Sequence, residues 1–117
     1  MKISLSYRGK KIIIDDIKKC NSFEKFVGLM FKRREKAQAL LFEFNKLGKI
    51  AIHSLFVFFP FVAIWIDDKG KIVEIRKVMP WKVSIKPKKE FVKLVEIPLN
   101  KRYKEIVEFL DDTERFK

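Results

Sequence analysis

His53 is the only histidine of the chain, and it is followed directly by a serine, Ser54. A catalytic serine needs a base within hydrogen-bond reach and a third group that orients the base. The pair lies in a segment of β-forming residues, and neighbours on a strand point to opposite faces. We therefore favour a structural histidine that bonds to the backbone, and we predict no catalytic residue. His53 is still the best general-base candidate, because no other side chain of the chain has an ordinary pKa near neutrality.

A second interpretation of the same histidine is a ligand pocket. Large apolar side chains stand before and after it in the sequence, and they could surround it in the fold. The residues of this predicted pocket are Met30, Phe42, His53 and Trp65. This alternative hypothesis makes the chain a small-molecule-binding protein or an enzyme.

Positive charge is the strongest feature of the composition: 27 Lys and Arg against 15 Asp and Glu give a net charge of +12. Such a charge favours nucleic acid or another polyanion as a partner. Cations could contact phosphates while Trp81 or Phe31 stacks on bases. The predicted anion-binding residues are Lys32, Arg33, Arg34, Lys86, Lys88 and Lys89. A lysine-rich surface is also typical of thermophilic proteins, so both interpretations of the charge stay open.

Several kinds of site are excluded or disfavoured by the residue types. The single cysteine, Cys20, allows neither an internal disulfide nor a cysteine zinc site. The four glycines are too scattered for a phosphate-binding loop, and the local chemistry of a turn explains Asp67-Asp68. We therefore expect no metal and no cofactor.

The segment Leu55–Phe61 is unusually rich in phenylalanine, with four rings in six positions from Phe56 to Phe61. This exceeds what one strand face buries, which indicates a homodimer surface or a ligand groove. In a small domain, the same rings could instead belong to the core.

The elements that must position these residues are mainly strands. Alternation predicts a hairpin over residues 3–14, and the turn residues Asp67–Gly70 predict a second hairpin. Ser22 and Gly28 bound a predicted short helix at 22–27, and the spacing of Tyr103, Ile106, Val107 and Leu110 predicts a C-terminal helix. Further strands are predicted at 39–44, 50–55, 61–66, 71–78 and 91–97, with 45–49 as a loop. We expect one domain, 1–117, of α+β and mainly β class, built as a strand-rich sheet or a partly open barrel.

The order of several blocks resembles the uncharacterised family called domain of unknown function 192. The blocks are Gly28-Leu29-Met30-Phe31-Lys32-Arg33, Leu41-Phe42-Glu43-Phe44, Pro60 through Ile64-Trp65-Ile66-Asp67, Gly70-Lys71-Ile72-Val73-Glu74-Ile75, Pro80 and Leu94-Val95-Glu96-Ile97-Pro98. The resemblance covers roughly residues 20–98 and implies a compact strand-rich fold without an established activity. Two departures stand out: Val62 replaces an acidic residue usual in the family, and the family's Gly-Asp-containing ending is missing.

The leading hypothesis is a non-enzymatic accessory or binding domain with an anionic partner such as nucleic acid. The segment Leu55 to Ile66 is too short for a membrane span and contains Pro60, and the N-terminus lacks a continuous apolar region. We therefore expect a cytoplasmic protein that does not interact with a membrane.

Overall fold

The structure is a computed structural model that describes residues 1–21 and 28–114. Within these residues, seven strands are followed by one α-helix, α1, at Lys104–Glu114. The strands are β1 (Ile3–Tyr7), β2 (Lys10–Ile14), β3 (Ile17–Lys19), β4 (Ala39–Gly48), β5 (Phe61–Ile66), β6 (Ile72–Val78) and β7 (Phe91–Pro98). Short 3-10 helices lie at Arg34–Lys36 and Lys101–Tyr103.

Five of the strands form one open sheet in the order β3-β4-β7-β5-β6. β3 runs parallel to β4, and the other neighbours are antiparallel, while β1 and β2 form a separate hairpin. The prediction of an α+β, mainly β fold with a C-terminal helix is confirmed. The sheet is mixed and does not close into a barrel.

Both faces of this sheet are buried, which explains the continuous apolar run of β5, whose six residues are all buried. On one face, Val62 and Ile64 pack with the β1-β2 hairpin and with Leu110 of α1. On the other face, Trp65 and Leu94 pack beneath loop residues that include Leu29, Val57 and Phe59. These loops carry the candidate sites described below.

Tyr103 joins the C-terminal part of the chain to the sheet. Its hydroxyl donates a hydrogen bond to the carbonyl of Asp16 at 2.7 Å and accepts one from the N–H of Ala39 at 2.8 Å. Tyr103 and Leu110 are buried, and Ile106 and Val107 are half-buried against the same core. The predicted amphipathic face of the helix is therefore confirmed. No helix in the described part of the chain has the length and apolar character to cross a membrane.

The sequence-based prediction of a strand over 50–55 is wrong. Only Ile52 forms a bridge, to Ile85, and the rest of the segment crosses one face of the sheet as a loop. Its backbone groups instead bond to another loop, for example from the N–H of Ser54 to the carbonyl of Lys82 at 2.8 Å. A β-forming composition therefore did not lead to a strand here, because the backbone of this segment bonds to a loop rather than to a strand of the sheet.

One boundary and one short strand also differ from the prediction. β4 continues through Gly48, so residues 45–48 extend a strand, and β3 was not predicted because it is three residues long. The helix predicted at 22–27 lies outside the described residues. The other predicted strands are confirmed.

Candidate functional site

Four aromatic side chains from three loops form one exposed cluster, which we call the aromatic surface: Phe31, Phe56, Phe58 and Trp81. Phe31 and Phe56 stack with ring centroids 5.1 Å apart. Trp81 meets Phe56 at 5.0 Å and Phe58 at 5.6 Å in edge-to-face contacts. The four residues are between 42% and 68% exposed. Contiguous apolar area of this kind on a small protein is typical of an interaction surface.

The backbone beneath these rings is strained. Phe31, Phe56 and Trp81 have φ angles of 60°, 59° and 65°, in the left-handed region that bulky residues rarely adopt. They are three of the five non-glycine residues with positive φ in the described chain. Each such residue costs about 1–3 kcal/mol, and strain of this kind concentrates at functional sites. The surrounding hydrogen bonds must therefore hold the rings in place against this strain.

Ser54 supplies most of these hydrogen bonds. Its buried hydroxyl donates to the carbonyl of Met79 at 2.6 Å and accepts from the N–H of Lys82 at 2.7 Å. Its carbonyl accepts from the N–H of Trp81 at 2.9 Å, and the N–H of Phe31 donates to the carbonyl of Phe56 at 2.9 Å. Ser54 is therefore a structural tether between two loops, and the serine hydroxyl is already engaged by backbone groups.

The predicted segment Leu55–Phe61 contributes to both the core and the surface. Val57, Phe59 and Phe61 are buried, whereas Phe56 and Phe58 belong to the aromatic surface. Two of the four phenylalanine rings of this segment are therefore buried in the core, and the other two are exposed.

Three exposed cations adjoin the aromatic surface along the chain. Lys32 and Arg33 follow Phe31, and Lys82 follows Trp81. None of these cations forms an ion pair with another residue in the described part of the chain. Their charges are therefore available to an external anion.

The other predicted anion-binding residues have different surroundings. Arg34 donates from Nε to the carbonyl of Leu99 at 2.6 Å, near the start of α1. The N–H of Lys88 donates to Glu74 Oε1 at 2.9 Å, and the carbonyl of Lys86 accepts from Arg76 at 3.4 Å. These contacts hold the loop of Lys86, Lys88 and Lys89 beside β6. The six predicted cations thus divide between separate elements.

A pocket of about 230 Å³ opens between β4, β7 and the loops that cover them. Three residues of the predicted pocket, Met30, Phe42 and His53, line it together, whereas Trp65 is buried on the same sheet face and is not among the lining residues. The other lining residues are Gly28, Leu29, Phe44, Ile50, Ala51, Ile52, Val57, Leu94 and Glu96. Among these described lining residues, the titratable side chains are His53 and Glu96.

His53 is half-buried, and its Nδ1 accepts a hydrogen bond from the N–H of Leu55 at 3.2 Å. An acceptor Nδ1 leaves the proton of the neutral ring on Nε2. His53 thus bonds to the backbone while it lines the pocket.

Glu96 was not predicted as a site residue. It is 5% exposed, and its cross-strand neighbours in β4 and β5 are Leu40 and Ala63. Burial raises the pKa of its carboxyl group to about 8. A signal for this residue was present in the sequence. Glu96 follows Leu94 by two residues in an apolar strand, and residues two apart on a strand point to the same face of the sheet.

Comparisons with solved structures show the fold. A candidate transcription regulator from Sinorhizobium meliloti 1021 is similar with a TM-score of 0.70 and 18% identity, over 83% of this chain and 78% of that one. A protein of unknown function from Novosphingobium aromaticivorans is similar with a TM-score of 0.67 and 13% identity, over 89% of this chain and 76% of that one. No curated protein matches the sequence.

The sequence itself matches one family, DUF192, described as an uncharacterized ACR, over residues 13–106. This match includes the sheet from β3 to β7, the aromatic surface and the pocket, and it confirms the resemblance deduced from the order of the blocks. The chain is a member of the DUF192 family, domain of unknown function 192.

Proposed function

We propose that this protein is a binding domain for single-stranded nucleic acid and that bases stack on the aromatic surface. The observation that carries the proposal is the exposure of four contacting rings on a strained, hydrogen-bonded backbone. Aromatic stacking contributes about 1–3 kcal/mol per base and tolerates any base, because every base has a flat face. The domain would therefore bind single strands with little sequence preference.

Phosphates would be contacted by Lys32, Arg33 and Lys82. These cations are exposed and lie beside ring-bearing residues in the chain, so a strand stacked on the rings brings its backbone within their reach. The net charge of +12 adds long-range attraction for any polyanion. The description of the Sinorhizobium meliloti protein as a candidate transcription regulator also supports a nucleic-acid partner.

Self-association is the competing use of the same rings, since Phe56 and Phe58 come from the segment predicted as a dimer surface. The cations beside the rings favour nucleic acid over self-association, because they form no ion pair with the described residues. Two copies joined through this face would bring Lys32, Arg33 and Lys82 of each copy towards those of the other, with like-charge repulsion.

The test is fluorescence anisotropy with a labelled single-stranded oligonucleotide of about 12 nucleotides at low salt and at increasing salt. We expect salt-dependent binding and quenching of tryptophan emission, because Trp81 is exposed whereas Trp65 is fully buried. Trp81→Phe should remove the quenching and retain most of the affinity.

A charge-matched pair of double variants separates a local site from overall charge. Lys32→Glu with Arg33→Glu and Lys88→Glu with Lys89→Glu change the net charge equally, but the second pair lies in the loop held beside β6. We expect a much larger loss of affinity for the first pair. Equal losses, or no binding at low salt, would contradict the proposal, and a concentration-dependent dimer that Phe58→Ala dissolves would support self-association instead.

A further inference from the structure

Glu96 presents a buried carboxyl group to the pocket between β4 and β7. Among the described residues, none donates a hydrogen bond to this group or forms an ion pair with it. Its Oε1 lies beside Gly28, where an added Cβ would come within 3.5 Å of that oxygen. Glu96 and Gly28 both line the 230 Å³ cavity. A buried polar group without a partner is costly, so its position at a cavity points to an external partner.

We propose that this pocket binds a small organic amine, whose ammonium group pairs with the carboxylate of Glu96 while its hydrocarbon part packs against Met30, Phe42 and Phe44. This site is separate from the aromatic surface and does not depend on nucleic-acid binding.

The charges around the pocket favour a cation as the ligand. The protein carries a net charge of +12, yet no lysine or arginine is found among the described residues that line the cavity. The faces of Phe42 and Phe44 can add cation–π attraction to the charge of Glu96. An anionic ligand would lie next to the carboxyl group of Glu96, and no lysine or arginine among the described lining residues would offset its charge. The chemistry of the lining therefore selects against the anions that the rest of the protein attracts.

The size of the cavity limits the ligand to a small molecule. Pockets for drug-sized ligands measure about 300–1,000 Å³, and this one is smaller at about 230 Å³. One ring or a short branched chain bearing a single amine fits this description. Gly28 adds no side chain beside the carboxyl group, whereas a Cβ there would be in van der Waals contact with Oε1 at 3.5 Å.

Binding must also move a proton. Burial raises the pKa of Glu96 to about 8, so most of the empty protein carries a neutral carboxyl group at pH 7. An ammonium ligand binds the ionised form, and the carboxyl proton leaves to the solvent with no other change in bonding. Amine binding should therefore strengthen by about tenfold per pH unit below pH 8.

The experiment compares matched probes by isothermal titration calorimetry: cyclohexylamine and benzylamine against cyclohexanol and benzyl alcohol. Titrations at pH 6, 7 and 7.5, in buffers of different ionisation enthalpy, report both affinity and the number of protons released. We expect only the amines to show proton release and the rise in affinity with pH.

Two variants assign the titrating group. His53 is the other titratable side chain among the described lining residues, and its protonation at low pH would also repel an amine. His53→Gln should keep the pH dependence, whereas Glu96→Gln should weaken amine binding by about tenfold or more and abolish the dependence. The exposed Glu90→Gln is the control for a general loss of negative charge.

The inference is overturned if the amines bind no better than the alcohols, if none of the probes binds, or if His53→Gln alone removes the pH dependence. Proton release by the unmodified protein tests the proposal even if Glu96→Gln fails to fold.

Discussion

The N–H of Phe31 donates a hydrogen bond to the carbonyl of Phe56 at 2.9 Å, and the rings of the same two residues stack with centroids 5.1 Å apart. Both residues have left-handed backbone angles. One backbone contact thus joins two loops that are distant in sequence and aligns two exposed rings.

Substitution of Phe31 should separate stability from binding. Phe31→Gly and Phe31→Ala both remove the ring, but only glycine relieves the left-handed backbone strain. We therefore expect the unfolding free energy of Phe31→Gly to be about 1 kcal/mol higher than that of Phe31→Ala. Both variants should lose oligonucleotide affinity to the same extent. Urea unfolding and anisotropy measure the two effects, and equal stability of the two variants would show that φ at residue 31 carries no strain.

Removal of the Ser54 hydroxyl should destabilise the protein. Ser54→Ala leaves the carbonyl of Met79 and the N–H of Lys82 without their partner, at a cost of about 1–3 kcal/mol. Urea unfolding measures the loss, and oligonucleotide binding should weaken as the loops loosen. Ser84→Ala, at an exposed serine, is the control and should change stability by less than about 0.5 kcal/mol. A neutral Ser54→Ala would contradict the tether.

Tyr103→Phe tests the connection between the C-terminal part of the chain and the sheet. The lost hydroxyl leaves the carbonyl of Asp16 and the buried N–H of Ala39 unsatisfied, so we expect a loss of roughly 1–3 kcal/mol in thermal or chemical unfolding. Tyr7→Phe is a matched control, because the Tyr7 hydroxyl donates to a side chain, Glu114 at 2.7 Å, in a more exposed place than that of Tyr103. A larger loss for Tyr7→Phe would contradict the central position of Tyr103.

Stability should depend on pH through Glu96. The carboxyl pKa is about 8 in the folded protein against an ordinary 4.5, so between these pH values the folded state holds a proton that the unfolded state has released. The unfolded state binds fewer protons in this window, and the free energy of unfolding therefore falls as pH rises from 4.5 to 8 and levels off above.

Glu96→Gln removes this contribution. Between pH 5 and pH 8, the unmodified protein should lose stability through Glu96, whereas the variant should not. The variant should therefore gain about a few kcal/mol of unfolding free energy relative to the unmodified protein over this range. Chemical denaturation at several pH values measures it, with Glu90→Gln as the control. A constant difference across this range would mean that Glu96 titrates normally in the folded protein.

Much of the fold could be predicted from local patterns. The Asp67–Gly70 turn formed as expected, since Asp67 Oδ1 accepts from the N–H groups of Lys69 and Lys71 and Gly70 has a φ of 81°. Period-two and helical periodicities located most of the strands and α1. The segment 50–55 was the main error, because a β-forming composition does not reveal whether a strand edge is free to pair.

Residue types alone did not reveal how the side chains of the candidate sites are arranged. Met30, Phe42 and His53 were predicted as pocket residues and do line one cavity, while Trp65 packs on the same face outside that lining. Phe31 and Trp81 both contact the ring of Phe56, and these contacts join loops that are distant in the sequence. Positive φ at three aromatic residues has no sequence signal, since those angles are imposed by contacts with other loops.

The sequence by itself determined the family, the fold class, the order of the strands along the chain and the excess of positive charge. These properties depend on residue types, on their spacing and on the order of short blocks, all of which are local. Only the tertiary structure decided which loops bring the rings together and that the buried carboxyl group of Glu96 lines a cavity. Those features depend on which loops meet across the sheet, and long-range contacts between loops leave no period in the sequence.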